Sequence, residues 1–254
     1  MKKHNLFHRP VSWIIFAALV IVSIFYVYHN FEKANSLVSI NIEMDRQTAL
    51  EKAAEIALER EIGPDSFKQA AAFLNDRHFQ TFVELEGGGI DTFTQIISEG
   101  YYQSYHWTVR HFKEQEANEA VFWFQPNGET YGFREKIPES EEGAALSQEE
   151  ALRIAEHHAI YNWDVDLVPY ELVEKSKEEQ ISGRIDHTFV YERTDKSIGD
   201  AKFRLKLVVS GDKLTTVDYN VKIPENFDRW YSEMRSANQT IQMISTAAIA
   251  VLYG

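Results

Sequence analysis

The 254-residue sequence contains no cysteine, which excludes a disulfide framework, a thiolate zinc site and a cysteine nucleophile together. That absence leaves the compartment open, since exported bacterial domains also do without cysteine. Acidic residues are missing before Glu32, and charged residues are missing after Arg235. No Gly-x-Ser-x-Gly elbow, His-Glu-x-x-His pair or calcium-loop spacing occurs, so no motif announces an acyl-transfer or metal site. The 16 Phe, 12 Tyr and 5 Trp are ample for a packed core, and disorder is not the expectation.

Charge is also absent from residues 11–28, where only Ser12 and Ser23 are polar among 18 residues. Such a helix is about 27 Å long, close to the roughly 30 Å of bilayer hydrocarbon. Eleven of the 18 are Val, Ile, Leu or Phe, which favours insertion by roughly 3–7 kcal/mol. Trp13, Tyr26 and Tyr28 suit the two interfacial belts. Lys2, Lys3 and Arg9 precede the segment. The positive-inside rule therefore puts residues 1–10 in the cytoplasm and residues 32–240 outside a bacterial cell membrane. The rival is a cleavable signal peptide with small residues at Ala34-Asn35-Ser36; the length of the apolar run and its aromatic end argue for a retained anchor.

At the other end, Ile241–Tyr253 is a run of thirteen uncharged, mostly apolar residues, shorter than the about 20 a span needs. It is expected to begin a second membrane helix of a longer polytopic protein, with lipid meeting residues 11–28 and 241–254; the competing reading is a buried C-terminal core helix. Removing the +3 of the anchor region from the net charge of −13 leaves −13 − 3 = −16 for the remainder. A domain that acidic does not attract nucleic acid.

Between these ends the sequence repeats itself. Met44–Leu50 (MDRQTAL) and Leu146–Leu152 (LSQEEAL) open two helices at an offset of 102 residues. Asp45 and Ser147 are N-cap types, and Ser147 with Glu150 has capping-box spacing. Ala49, Leu50, Ala53 and Ala57 correspond to Ala151, Leu152, Ala155 and Ala159, one narrow apolar stripe. Three strands follow in each copy, at 107–112, 120–124 and 130–137 and at 188–193, 202–209 and 214–223. Turns at Pro126-Asn127-Gly128 and Ser210-Gly211-Asp212 join the last pairs. Both copies close on Lys-Ile-Pro-Glu, at Lys136–Glu139 and Lys222–Glu225, an offset of 86. Copy one thus holds extra residues between helix and sheet, Glu86–Gly89 among them.

The expected fold is α+β: an N-terminal transmembrane helix, two helix-plus-antiparallel-meander repeats, then the start of a second transmembrane helix. The boundaries are 1–10 cytoplasmic, 11–28 anchor, 32–139 repeat 1 with insertion, 140–145 linker, 146–228 repeat 2, and 229–254 juxtamembrane helix and membrane start. The helix-plus-meander pair resembles tandem PepSY-like modules, non-catalytic units of exported bacterial proteins. The block through Arg184–Glu192, Val221–Phe227 and Glu233–Asn238 resembles the N-terminal extracytoplasmic region of CPBP-type (CAAX-protease-like) intramembrane endopeptidases. That resemblance implies a regulatory or substrate-handling role beside a catalytic membrane domain not contained here. A stand-alone anchored binding or sensor module is the alternative, and a peptide or protein is the expected partner.

The resemblance also implies catalytic Glu-Glu-x-x-x-Arg, Phe-x-x-x-His and His-x-x-x-Asn motifs on membrane helices. Glu149-Glu150 followed by Arg153 is one residue short, and His158-x-x-x-Asn162 fits by spacing alone. Both lie on the first helix of copy two, where the glutamates serve the cap and His158, standing where copy one has Ile56, reads as a partly buried packing residue. No catalytic, cofactor or metal residues are assigned. Asp164 and Asp166 read as solvated or capping, and Ser182-Gly183 as a turn. Arg184, Asp186 and His187 are the contact candidates: either a docking or pH-sensitive surface, or a hydrogen-bond set at a strand start. Tyr101, Tyr102, Tyr105 and Trp107 suit a peptide-binding edge or an alternating core.

Overall fold

The computed structural model describes residues 10–34 and 40–253; Lys2, Lys3, Arg9 and the Asn35-Ser36 step fall outside them. The chain divides into two units, Met1–Asn41 and Ile42–Gly254. In the first, α1 runs Pro10–Ala34. Its Pro10–Asn30 stretch has mean hydropathy 2.4 and none of it is buried. α1 is long and apolar enough to cross a membrane.

The second unit is α+β. Its order is α2 (Arg46–Arg60), β1 (Lys68–Asn75), α3 (Arg77–Leu85), α4 (Gly89–Ser98), β2 (Tyr105–Phe112), β3 (Glu119–Phe124) and β4 (Thr130–Lys136), then α5 (Gln148–Trp163), β5 (Tyr170–Glu179), β6 (Ile185–Ile198), β7 (Ala201–Ser210), β8 (Lys213–Lys222) and α6 (Glu225–Tyr253). One antiparallel sheet holds all eight strands in the order β1-β2-β3-β4-β8-β7-β6-β5. Within β1–β4 and within β5–β8 successive strands pair antiparallel, and β4 meets β8 through Phe133 opposite Val217 and Arg134 opposite Thr216.

The helix starts follow from their caps. Asp45 accepts from Thr48 N at 2.8 Å. Ser147 and Glu150 satisfy each other's backbone donors as a full capping box. Ala49 and Ala53 on α2, and Ala151, Ala155 and Ala159 on α5, are fully buried. A stripe of such small side chains lets each helix lie close on the sheet. Beneath them, Val109, Phe122, Phe133, Phe189, Leu205, Leu207 and Val217 form one continuous core. Burying each of these side chains stabilises the fold by about 1.5–3 kcal/mol.

β1 and β5 add one strand to each expected meander and flank the sheet at its two edges. The extra residues of the first half form α3 and α4, which build an aromatic cluster of Phe79, Phe93, Tyr102 and Phe203. Tyr102 and Tyr105 are core, while Tyr101 and Trp107 are half-buried. α6 docks on α3 through the fully buried Phe227, 5.1 Å from Phe82. Beyond that base Ile241, Met243, Ile244 and Ile249 are exposed, so residues 241–250 are not a buried core helix.

One buried histidine gives the fold a pH dependence. His111 is fully enclosed, takes a 2.8 Å hydrogen bond from Gln69 and stacks on Phe67 at 3.9 Å. Burial pushes its pKa down to about 4. The folded state therefore binds this proton more weakly than the unfolded chain, so the stabilisation is complete above about pH 6.5 and is lost as pH falls toward 4. Urea unfolding at pH 7 and at pH 4.5 should differ by roughly 2 kcal/mol more in the natural chain than in His111→Gln.

Candidate functional site

The three contact candidates converge, and they do so on the chain's own backbone. Arg184 is 2% exposed and His187 1%. The Arg184 guanidinium donates to both carboxylate oxygens of Asp186, at 2.9 and 3.2 Å. It also donates to the carbonyls of Pro138 at 3.0 Å and Glu141 at 2.8 Å. His187 reaches the Leu146 carbonyl at 2.9 Å, and Ser182 donates to the Glu141 carbonyl. A Cβ added at Gly143 would fall 2.5 Å from Arg184 Cδ. These side chains clamp the segment between β4 and α5 onto the start of β6.

Of the sequence decoys, Asn162 reaches the groove described below, and His158 with Asn162 lines a second cleft. Glu150 serves the cap. His158 is exposed rather than partly buried and contacts Asn162 at 3.1 Å. The expectation drawn from Ile56 fails there: Ile56 is buried, whereas His158 at the same offset faces solvent beside Asn162. Asp164 ends α5 in the left-handed region at φ 53°, and Asp166 accepts from Val168 N at 2.9 Å. Among the described residues no three His, Asp or Glu side chains gather closely enough to hold a metal ion.

A groove of about 580 Å³ opens on the helix-bearing face. Its walls come from α2 (Lys52, Arg60), the end of α5 (Asn162, Trp163), the β3–β4 turn, Tyr101, and Tyr131, Tyr170, Arg193 and Tyr219 of the sheet. Tyr131 and Tyr219 stack across the β4–β8 seam at 5.0 Å. Trp163 lies on Phe133 at 3.9 Å and under the Arg60 guanidinium at 4.3 Å. Arg193 sits 4.7 Å from the Tyr101 ring and 5.7 Å from Tyr170. It is held there by Asp195, whose hydrogen bond is the chief reason the guanidinium pKa rises.

The ring faces of this groove are thus engaged by neighbours. What it presents to a ligand is its hydrogen-bonding groups. Burial raises the pKa of Tyr131, Tyr170 and Tyr219, so their phenols are neutral at physiological pH. Tyr131 already accepts from Gln103 N at 3.2 Å. Neutral hydroxyls, the amides of Gln125 and Asn162, and carboxylates at Glu129, Asp164 and Asp166 match the alternating donors and acceptors of an extended polypeptide.

No family model, curated protein or solved structure matches the chain. Its function rests on geometry.

Sequence reasoning did not gather Arg60, Tyr131, Trp163, Tyr170, Arg193 and Tyr219, which are scattered along the chain. The one available signal was the Lys-Ile-Pro-Glu offset, which implies that the last strands of the two copies are equivalent.

Proposed function

We propose that this chain is a non-catalytic, membrane-tethered extracytoplasmic domain that holds a polypeptide segment of a partner, and that it regulates or handles substrate for an intramembrane endopeptidase of the CPBP type. The observation that carries the reading is the groove between the α2 and α5 ends, lined by hydrogen-bonding side chains. Residues 11–28 would tether it, with residues 1–10 cytoplasmic and 32–240 outside the cell. Residues 241–254 would begin the second membrane segment.

The tandem PepSY-like reading is supported by the order of elements, which is alike in the two halves once α3 and α4 are set aside. Each half then runs helix, four strands, with α3 and α4 inserted into the first. The two halves share one core, so a domain boundary at 140–145 is a boundary of repeats rather than of separate cores.

The parent protein, assayed with and without residues 32–238, should differ in substrate selectivity; equal activity on every substrate would refute the handling role. Within the groove, Tyr219→Ala should reduce partner capture about tenfold while leaving urea stability within about 2 kcal/mol, because it removes one neutral hydroxyl and the ring that holds Tyr131 from a half-exposed wall. Retained capture by this variant and by Tyr170→Ala would rule the groove out. A stop codon directly after codon 254 would favour the second reading, a stand-alone anchored sensor.

A further inference from the structure

β4, β8 and β7 turn alternate residues away from the helices. On that outward face stand Arg134 and Lys136, Lys222, and Lys202, Arg204 and Lys206, while Asp218 is the one carboxylate these three strands add. The sign is the reverse of the whole chain, in which 39 acids outnumber 26 bases. The flanking strands set Glu119 opposite Lys136 and Glu192 opposite Arg204, so the uncompensated charge centres on Lys202 and Lys222.

The pairing is costly as well. Lys202 faces Lys222 directly across β7 and β8. Like charges in that position destabilise a sheet by a few tenths of a kcal/mol or more. Among the described residues neither lysine has a carboxylate within ion-pair distance, whereas Arg204 is matched by Glu192 at 3.0 Å. Asp218, opposite Lys206, is desolvated enough that its pKa rises. Lys206 and Arg134 are the cations this carboxylate interacts with, which leaves Lys202 and Lys222 uncompensated.

We propose that the outward face of β4, β8 and β7 docks an acidic, extended polypeptide segment of a partner protein. An extended acidic peptide can meet this face in register. Lys202, Arg204 and Lys206 recur every second residue, about 6.6–7 Å apart, which is also the repeat of alternate side chains on an extended peptide. Mobile anionic headgroups would need no such register. The Trp123 ring lies against Gly132 on the same face, 3.5 Å from where a Cβ would stand, and gives the segment an apolar step to cross. This surface is separate from the groove and does not depend on it.

The full chain in uncharged detergent, titrated with a fluorescein-labelled (Glu-Thr)5 peptide, tests the proposal by anisotropy. Binding should weaken severalfold between about 50 and 200 mM salt. The double variant Lys202→Gln, Lys222→Gln should bind roughly tenfold more weakly. It should melt no lower than the natural chain, since a repulsion has been removed. Equal binding of (Gln-Thr)5, an unaffected double variant, or capture of phosphatidylglycerol vesicles in place of the peptide would overturn it.

Discussion

Gly132→Val is expected to cost about 4 kcal/mol or more and to end the cooperative unfolding of the eight-stranded sheet. A Cβ at position 132 would stand 2.3 Å from the Val217 carbonyl oxygen. That atom belongs to backbone, and no rotamer change relieves the collision. The two strands must therefore separate where only Phe133–Val217 and Arg134–Thr216 hold them in register. Gly100 is the contrasting case: its φ is +72° and nothing lies within 4 Å of an added Cβ, so Gly100→Ala should cost only the roughly 1 kcal/mol of an unfavourable backbone region. Urea unfolding followed by far-ultraviolet circular dichroism separates the two. If Gly132→Val loses no more than Gly100→Ala, the close approach at the seam is not structural.

Arg184→Ala is the second large effect, at about 3–5 kcal/mol. The substitution leaves the Asp186 carboxylate with the Gln180 amide as its remaining side-chain donor and removes the donors to the Pro138 and Glu141 carbonyls, all in a site where the arginine is 2% exposed. Arg184→Lys keeps the charge but not the planar fork that reaches Asp186 and two carbonyls at once, so it should recover less than half of the loss. The damage should also be local. Residues 139–145 should become sensitive to a glutamate-specific protease at native temperature, with cleavage after Glu141 or Glu142 detected by mass spectrometry. Protection equal to that of the natural chain would show that the clamp is dispensable.

Much of the second unit was legible because it obeys simple periodicities. Asp45 and Ser147 read as caps from residue type and spacing, and the alanine stripes read as the buried sides of α2 and α5. The inner strands β3, β7 and β8 announced themselves through apolar runs or alternation bounded by turns. The edge strands did not. β5 reads Tyr-Glu-Leu-Val-Glu-Lys-Ser-Lys-Glu-Glu and is exposed along most of its length, as an edge that resists pairing with other chains should be. β1 carries three consecutive alanines, a composition that suggests helix until β2 pairs with it. His158 misled because equivalence to Ile56 does not follow where the two helices share the cap, the alanines and one leucine. The groove was illegible for another reason: its residues come from six separate segments and meet only when β4 and β8 close.

The seam between β4 and β8 has a mechanical side. β8 hands the chain directly to α6, and it pairs with β7 through nine residues but with β4 through two. Tension drawn along α6 therefore enters a strand that is firmly laced on one flank and lightly on the other. The lightly laced flank would part first, and the stacked Tyr131 and Tyr219 rings span it. A tug on the C-terminal helix would thus be felt in the groove before any other part of the sheet gave way.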